Sequence, residues 1–291
     1  MQTTIAQAIT LTTHANAFIS GSAPTAVLDF YPSNSTFAFC EQVRFVDLEP
    51  AGGGWTETDY AEDPTAWFAR LKNSNARSLR LHYGSREPQN LGGRKVTDRM
   101  LVGFVGGGGR WLIEVATAAG SDYWEARWEV GDQSRADKKI RRVTYGRVER
   151  NRPTLPSRTS DTAAVKERLT QTLKVISAFA RDQKVDGFAS AFDRALAHLS
   201  SSDPSDGVYH SDLAPRGALP PEASQLLAAA QVAWVFGGMG SWNDLGFDGE
   251  DQATYDRLSE ELFRLLNEAI VVATNAGNSA ERPKPWWKPW S

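Results

Sequence analysis

The sequence is poor in cysteine, and Cys40 is the single one in 291 residues. One cysteine excludes an internal disulfide framework and any zinc site built on cysteine pairs. Disulfides are typical of exported proteins, whereas a chain that uses so little cysteine fits a reducing compartment. We therefore expect a cytoplasmic protein.

Histidine is also scarce, and its distribution does not favour a metal site. No two histidines have the i, i+4 spacing of a metalloprotease helix. They are His14, His82, His198 and His210. His210, Ser211 and Asp212 are adjacent, whereas the members of a catalytic triad converge from separate segments, so we interpret them as a polar loop. The sequence predicts no metal, and it leaves the catalytic residues, if any, unassigned.

Nucleotide-binding and nucleophile motifs are missing as well. The run Gly106–Gly109 lacks the Lys and Ser/Thr that follow in a phosphate-binding loop. It separates two apolar runs, Met100–Val105 and Arg110–Thr117, and predicts the turn of a β-hairpin between them. No GxSxG nucleophile elbow occurs. We therefore predict no cofactor.

Long apolar runs are absent too. Met1–Ser20 contains no Lys or Arg, and Thr, Gln, His and Asn interrupt its apolar residues, so it lacks the regions of a signal peptide. An uncharged stretch, Ala223–Asn243, carries polar residues and several glycines and does not resemble a bilayer span. We expect neither export by a signal peptide nor a transmembrane segment.

The composition is otherwise that of a folded protein, with 41% hydrophobic and 23% charged residues. Alternating patterns predict strands before residue 150. In Tyr123–Val130 the residues Trp124 and Trp128 share one face while acids and a base occupy the other. One short helix interrupts the strands, with Asp63 as its cap and Pro64 at its first position.

After residue 160 the spacing of apolar residues becomes helical, and the clearest stripe runs from Tyr255 to Ile270. Asn151–Ser160 is rich in Pro and Ser and follows neither pattern. We predict an α+β fold. It comprises an antiparallel β-meander region over 1–150 with one short helix, a linker over 151–160, a mostly helical region over 161–277 and a Pro/Trp-rich tail over 278–291.

The loop between the last two predicted helices is the best candidate for a ligand or partner site. Gly237–Asp251 places five glycines among large aromatic residues and ends in acids. Such a backbone can approach a ligand closely, while the aromatic side chains offer flat faces. The alternative is structural, with the aromatic residues plugging the loop into the core. The candidate residues are Trp242, Asn243, Asp244 and Phe247.

A basic stretch raises the possibility of nucleic-acid binding. Arg135 to Arg158 contains nine bases and two acids, which could follow a phosphate backbone. Aromatic residues are few there, and acids elsewhere in the chain can neutralise the bases. Nucleic acid is therefore not favoured as a partner. The residues that would carry such binding are Arg141, Arg142, Arg147 and Arg150.

The tail is the other unusual segment. Arg282–Ser291 contains three prolines, which favour an extended backbone, and three tryptophans. An extended backbone has little conformational entropy left to lose on docking. Docking against the protein's own surface is the first interpretation, followed by a partner protein or second copy and then by a membrane surface. The candidate contact residues are Trp286, Trp287 and Trp290.

These patterns favour a function in binding rather than in catalysis. The chain has ten tryptophans and charge-polarised segments, but no recognisable catalytic set. We expect a non-catalytic, bacterial-type cytoplasmic interaction or accessory protein that binds another protein or self-associates. The alternative is a small-molecule-binding protein or enzyme with its site at the Gly237–Asp251 loop.

Overall fold

The computed structural model describes residues 1–22, 29–91, 94–104, 106–155 and 161–278. Seven α-helices and eight strands lie in these ranges. The helices are α1 (Thr3–Ile19), α2 (Pro64–Asn73), α3 (Asp98–Leu101), α4 (Thr162–Asp182), α5 (Asp186–His198), α6 (Pro221–Val232) and α7 (Gly249–Asn275). The strands are β1 (Cys40–Ala51), β2 (Gly54–Ala61), β3 (Ser78–Gly84), β4 (Gln89–Leu91), β5 (Arg94–Val96), β6 (Arg110–Ala116), β7 (Ser121–Val130) and β8 (Arg141–Arg152).

The main sheet has six strands in the order β2-β1-β8-β7-β6-β3. Strands and most helices occupy opposite halves of the chain, so the predicted α+β class is confirmed. The sheet is mixed rather than wholly antiparallel, because β8 returns beside β1 in parallel orientation. Periodicity shows which face of a strand is apolar but not which strand lies next to it, so the sequence pattern does not reveal this pairing.

The prediction of one short helix in the first half is incomplete, because α1 precedes the sheet. Twelve of its 17 residues are buried, so it lacks the polar face that reveals a surface helix. Its buried hydroxyls bond to backbone carbonyls of the helix and of a neighbouring loop: Thr12 donates to the carbonyl of Ala8 at 2.8 Å, and Thr13 to that of Leu213 at 2.6 Å. Polar residues in this helix therefore belong to the core.

The predicted hairpin around the glycine run is wrong. Its first arm contains α3, and β6 pairs instead with β3 and with β7. The glycines are needed for close packing as well as for a turn. A Cβ atom at Gly107 would lie 1.8 Å from the carbonyl oxygen of Leu101, and Gly109, with φ of +86°, lies against the ring of Tyr83.

Other local predictions are confirmed. The Asp63 side chain accepts the backbone N–H of Ala66 at 2.7 Å, and Pro64 occupies the first turn of α2. Tyr123–Val130 lies within β7, where Trp124 is fully buried and Trp128 is partly buried against the same core. The pleat of a half-buried strand explains both positions.

Helices α4 to α7 pack on one another, and their buried side chains join those of the sheet and α1 in one continuous core. Two asparagines cover the edge strand β3. Asn16 of α1 binds the backbone of Leu79, and Asn275 of α7 binds that of Leu81. In each case the side-chain NH2 donates to the backbone carbonyl and the side-chain oxygen accepts the backbone N–H. Side chains from both ends of the chain thus occupy backbone positions where another strand could otherwise add.

The two-region division of the chain stays a prediction. Strand β8 ends at Arg152, two residues into the predicted 151–160 linker, but residues 156–160 lie outside the described ranges. Among the helices within those ranges, none has the length and apolar character needed to cross a membrane.

Candidate functional site

The predicted loop begins after α6, and its central residue Trp242 is a core residue. The Trp242 indole is fully buried, and its Nε1 donates to the Ser259 hydroxyl of α7 at 2.7 Å. The rings of Phe188, Phe192 and Tyr255 surround it, with centroids 5.1 to 5.4 Å away. This ring therefore offers no free face to a ligand.

Asn243 connects the loop to a buried arginine in the first half of the chain. Its side chain accepts from Nη1 of Arg99 at 3.0 Å and donates to the carbonyl oxygen of Arg99 at 2.8 Å. Arg99 is 2% exposed and also binds Asp256 (3.3 Å) and Glu260 (2.8 Å) of α7. A buried guanidinium needs several acceptors, and here three come from the second half of the chain.

Asp244 and Phe247 also have structural contacts. Asp244 accepts the backbone N–H of Ser241 at 3.1 Å and completes a capping box for the short 3-10 helix Trp242–Asp244. The Phe247 ring packs on Phe179 and Tyr255. The structure thus brings the four predicted residues together, with their rings in the core or against it and their polar groups in bonds that hold the loop.

A different pair of residues in this region is exposed. Gly103, which follows α3, touches the loop so closely that a Cβ atom there would lie 2.3 Å from the carbonyl oxygen of Gly237. The next side chain on each segment points outward: Phe104 is 70% exposed and Met239 is fully exposed. We call these two side chains the Phe104–Met239 surface. The glycines on either side of Met239 already identified this segment in the sequence, but the exposure of Met239 itself was not predicted.

Four acids follow Met239 in the chain, between the loop and the first turn of α7. None of them has an ion-pair partner within the described part of the protein, and all four are exposed. They are Asp244, Asp248, Glu250 and Asp251. On the Phe104 side, Arg86 donates to the carbonyl of Gly106 at 2.6 Å. Phe104 and Met239 are thus exposed apolar side chains, and the four exposed acids follow Met239 along the chain up to the first turn of α7.

The predicted nucleic-acid residues lie on β8, where most of their charges are paired within the sheet. Arg142 binds Glu41 at 2.8 Å. Arg147 binds Asp47 and Asp122 at 2.5 and 2.8 Å, and Arg150 binds Asp47 at 3.3 Å. Arg141 is exposed at the start of the strand. These ion pairs neutralise three of the four charges that a phosphate backbone would use.

His210 and Asp212 meet a serine, but it is Ser35 rather than Ser211. The Ser35 hydroxyl lies 2.7 Å from Nδ1 of His210 and donates to Oδ1 of Asp212 at 2.5 Å, and the Ser35 backbone N–H donates to Oδ2 at 2.7 Å. In a nucleophilic triad the carboxylate orients the imidazole, whereas here it binds the serine. Burial lowers the pKa of His210, and the hydrogen bonds of the cluster join the Ser35 and His210–Asp212 loops.

A buried carboxylate on β6 was not foreseen from the sequence. Glu114 is completely buried and accepts from Nε2 of His82 at 2.6 Å and from the Ser121 hydroxyl at 2.5 Å. Burial alone would raise the pKa of Glu114, but the hydrogen bonds from His82 and Ser121 outweigh it and hold the pKa below its ordinary value. The three residues come from three strands, so no local motif reveals them.

Glu114→Gln is expected to reduce the acid sensitivity of folding. A carboxyl whose pKa is lower in the folded state stabilises the protein above its ordinary pKa, and this contribution is lost as the pH falls through the folded-state value. The free energy of unfolding of the variant should therefore fall less steeply than that of the wild type below about pH 4.5. Denaturant titrations at several pH values measure this slope.

Glu62→Gln is the matched control, because Glu62 is exposed. It should keep the pH dependence of the wild-type protein. A Glu114→Gln variant with the wild-type acid slope would show that Glu114 has no lowered pKa.

The remaining candidates, Trp286, Trp287 and Trp290, lie outside the described residues. Within the described ranges no three His, Cys, Asp or Glu side chains are grouped so that they could hold a metal ion. Comparison of the chain with protein-family models, with curated proteins and with solved structures finds no match.

Proposed function

We propose that the protein is a non-catalytic accessory protein that binds another protein through the Phe104–Met239 surface. The observation that carries this proposal is the exposure of two large apolar side chains on segments that are themselves firmly held. Aromatic residues and methionine are enriched where proteins bind one another, and methionine adapts readily to a partner's shape.

The rigidity of the surface favours a built binding site over a chance exposure. Arg99 and Asn243 join α3 to the loop, and the capping box holds the loop on the far side of Met239. A surface whose backbone is already fixed loses little entropy when a partner binds. The four acids that follow Met239 in the chain form no ion pairs among the described residues, so a partner segment with apolar residues flanked by Lys or Arg would suit them.

The alternative, a small-molecule or catalytic site within Gly237–Asp251, has less support. It would need the Trp242 ring and the Asp244 carboxylate, which are engaged in the core and in the capping box. The single cysteine, Cys40, is a buried free thiol, and a chain without disulfides fits the cytoplasm that we propose. Burial raises the pKa of this thiol to about 11, so it does not supply a reactive nucleophile.

The test compares the full-length protein with the double variant Phe104→Asp/Met239→Asp. A partner retained from host extract by the wild-type protein should bind the double variant at least tenfold more weakly, because two apolar contacts are lost and two like charges join the acids. The affinity of this partner for the wild-type protein should also fall as the salt concentration is raised, because salt screens the attraction between opposite charges. Val130→Asp is the control, since Val130 is exposed on β7.

Equal retention of that partner by the double variant would contradict the proposal. Loss of the partner in Val130→Asp as well would show that the contact lies elsewhere or is not specific. Circular dichroism and thermal unfolding of each variant establish that the chain is still folded.

A further inference from the structure

The two edges of the six-stranded sheet differ in how their backbone groups are bonded. At the β3 edge, the side-chain amides of Asn16 and Asn275 bond to the backbone of the strand. At the β2 edge, no described residue outside β1 bonds to the backbone of Gly54–Asp59, and all six residues are exposed. The strand also contains neither Lys nor Pro, the residues that protect many exposed edges from further pairing. The β2 edge is therefore open to a further strand.

The turn between β1 and β2 determines which backbone groups of β2 face outward. Gly52 and Gly53 form a two-residue turn with φ of +54° and +90°, so Gly54 exchanges hydrogen bonds with its partner on β1. Bonded and non-bonded pairs alternate along an antiparallel ladder. Thr56 and Thr58 therefore also bond to β1, and the residues between them do not.

Trp55, Glu57 and Asp59 thus direct their N–H and C=O groups away from β1. Pro50, which has no N–H to donate, lies opposite Trp55 in a pair that exchanges no hydrogen bonds. Glu57 is exposed although its side chain is only 26% exposed, so its main chain faces solvent. Within the described part of the chain, this edge therefore has three N–H and three C=O groups without a partner.

The side chains of these three residues share one face of the sheet, because alternate residues of a strand do. Glu57 already binds Arg44 and Arg127. The Asp59 side chain is 86% exposed, and Arg44 contacts it at 3.3 Å. Trp55 is 60% exposed. The edge consequently presents a carboxylate that is free to bind a further cation and, four residues earlier, an accessible aromatic ring.

We propose that β2 accepts an extended segment of another protein as a seventh strand of the sheet. This segment runs antiparallel to β2, with Lys or Arg opposite Asp59 and Glu57 and an apolar residue opposite Trp55. When a strand adds to a sheet edge, main-chain hydrogen bonds supply affinity and alternate side chains supply specificity. Opposite charges on directly facing residues stabilise a strand pair, whereas like charges destabilise it.

A second copy of the chain fits this edge less well. In the two-fold register that pairs all three outward residues of both copies, Glu57 would lie opposite Glu57 of the other copy. Two carboxylates in directly opposite positions repel each other. Since β2 contains no Lys or Arg, Asp59 would gain no cation from the second β2 strand.

The β2 edge is separate from the Phe104–Met239 surface. β2 and β3 are opposite edges of the sheet. The glycine run that follows Phe104 lies on the β3 side, where Gly109 contacts the Tyr83 ring. Binding at one of these places therefore does not require binding at the other, and a negative result at β2 leaves the proposed function unaffected.

Titration of the full-length protein with a synthetic peptide tests the proposal. The probe is the acetylated and amidated heptapeptide TKVKVYT, whose lysines face Asp59 and Glu57 and whose tyrosine faces Trp55 in the antiparallel register. Amide hydrogen exchange is followed by NMR with and without saturating peptide. The peptide should slow exchange at the three outward residues by at least about tenfold, whereas Thr56 and Thr58 are protected in its absence.

Two variants separate the contribution of the backbone from that of charge. Glu57→Pro removes an outward N–H but no bond to β1, so it should lower the peptide affinity roughly tenfold while the protein stays folded by circular dichroism. Asp59→Lys should weaken binding of TKVKVYT and strengthen binding of the acidic peptide TEVEVYT, each about fivefold. Val130→Asp, at an exposed position on β7, is the control and should bind both peptides as the wild type does.

Several results would overturn the proposal. One is the absence of saturable binding, and another is protection elsewhere in the chain with none at Trp55, Glu57 and Asp59. Equal affinity of the wild-type protein for the basic and the acidic peptide would show that the carboxylates do not select the partner. If the three amides are already protected without peptide and the protein sediments as a dimer, a second copy occupies the edge and the proposed partner is wrong.

Discussion

Replacing Trp242 by alanine is expected to lower the free energy of unfolding by about 3 to 5 kcal/mol. The indole is completely buried among three aromatic rings, and the surrounding helices can close only part of the space it leaves. The substitution also removes the donor that binds the Ser259 hydroxyl. Denaturant unfolding followed by circular dichroism measures the loss.

Two controls separate packing from the hydrogen bond. Trp242→Phe keeps an aromatic ring and should cost about 1 to 2 kcal/mol, mainly for the lost indole N–H and a small cavity. Trp55→Ala removes an indole that is 60% exposed on β2 and should change stability by less than about 0.5 kcal/mol. If Trp242→Ala were as stable as Trp55→Ala, the buried Trp242 side chain would not contribute to the stability of the fold.

Elements whose signals are local could be predicted from the sequence. The Asp63–Pro64 start of α2, the alternation of β7 and the apolar stripe of α7 all appear where the residues indicate them. In each of these cases the same residues that carry the pattern also make the stabilising contacts. Local preference and tertiary packing therefore agree there.

Where polar or glycine residues serve tertiary packing, the sequence was misleading. Helix α1 is buried on nearly all sides, and its threonines bond to backbone carbonyls of the helix and of residues 212–213, so it has no amphipathic pattern. The glycine run around Gly107 permits close contact with α3 and only secondarily forms a turn. A one-dimensional pattern does not distinguish a glycine that turns the chain from one that admits a neighbouring backbone.

The candidate loop could be located from the sequence, but the roles of its residues could not. Aromatic residues and glycines identified the segment, and the structure shows Trp242 in the core and Met239 in solvent. Which side chain points inward depends on Gly103 and Arg99, which lie more than a hundred residues earlier. The clusters at Glu114 and at Ser35 were unforeseen for the same reason, since their members converge from distant strands and loops.

Arg99 is the residue that connects the two halves of the chain at the loop. Its guanidinium contacts Asn243, Asp256 and Glu260 and lies near the Tyr255 ring, 5.7 Å from its centroid. Removing one partner of a buried ion pair usually lowers the free energy of unfolding by about 3 to 5 kcal/mol. The two acids here are 45% and 41% exposed and can regain water, so the cost should be smaller.

We expect Arg99→Met to lower the free energy of unfolding by about 2 to 4 kcal/mol and Arg99→Lys to lower it by less, since lysine keeps the charge but cannot bind three acceptors with the same geometry. Arg44→Met is the control. Arg44 forms ion pairs with Glu57 and Asp59 on the sheet surface, where such pairs contribute about 1 kcal/mol or less.

Arg99→Met should also weaken partner binding, although the Arg99 side chain is almost inaccessible. When the Arg99 guanidinium is removed, Asn243 loses a hydrogen-bond donor that holds its side chain. The loop that carries Met239 is then less firmly held against the segment that carries Phe104. Hydrogen exchange at residues 237–245 should then accelerate in Arg99→Met while exchange in β7 stays unchanged. If the loop exchanges as slowly as in the wild-type protein and the partner binds equally well, Arg99 stabilises the fold without organising the Phe104–Met239 surface.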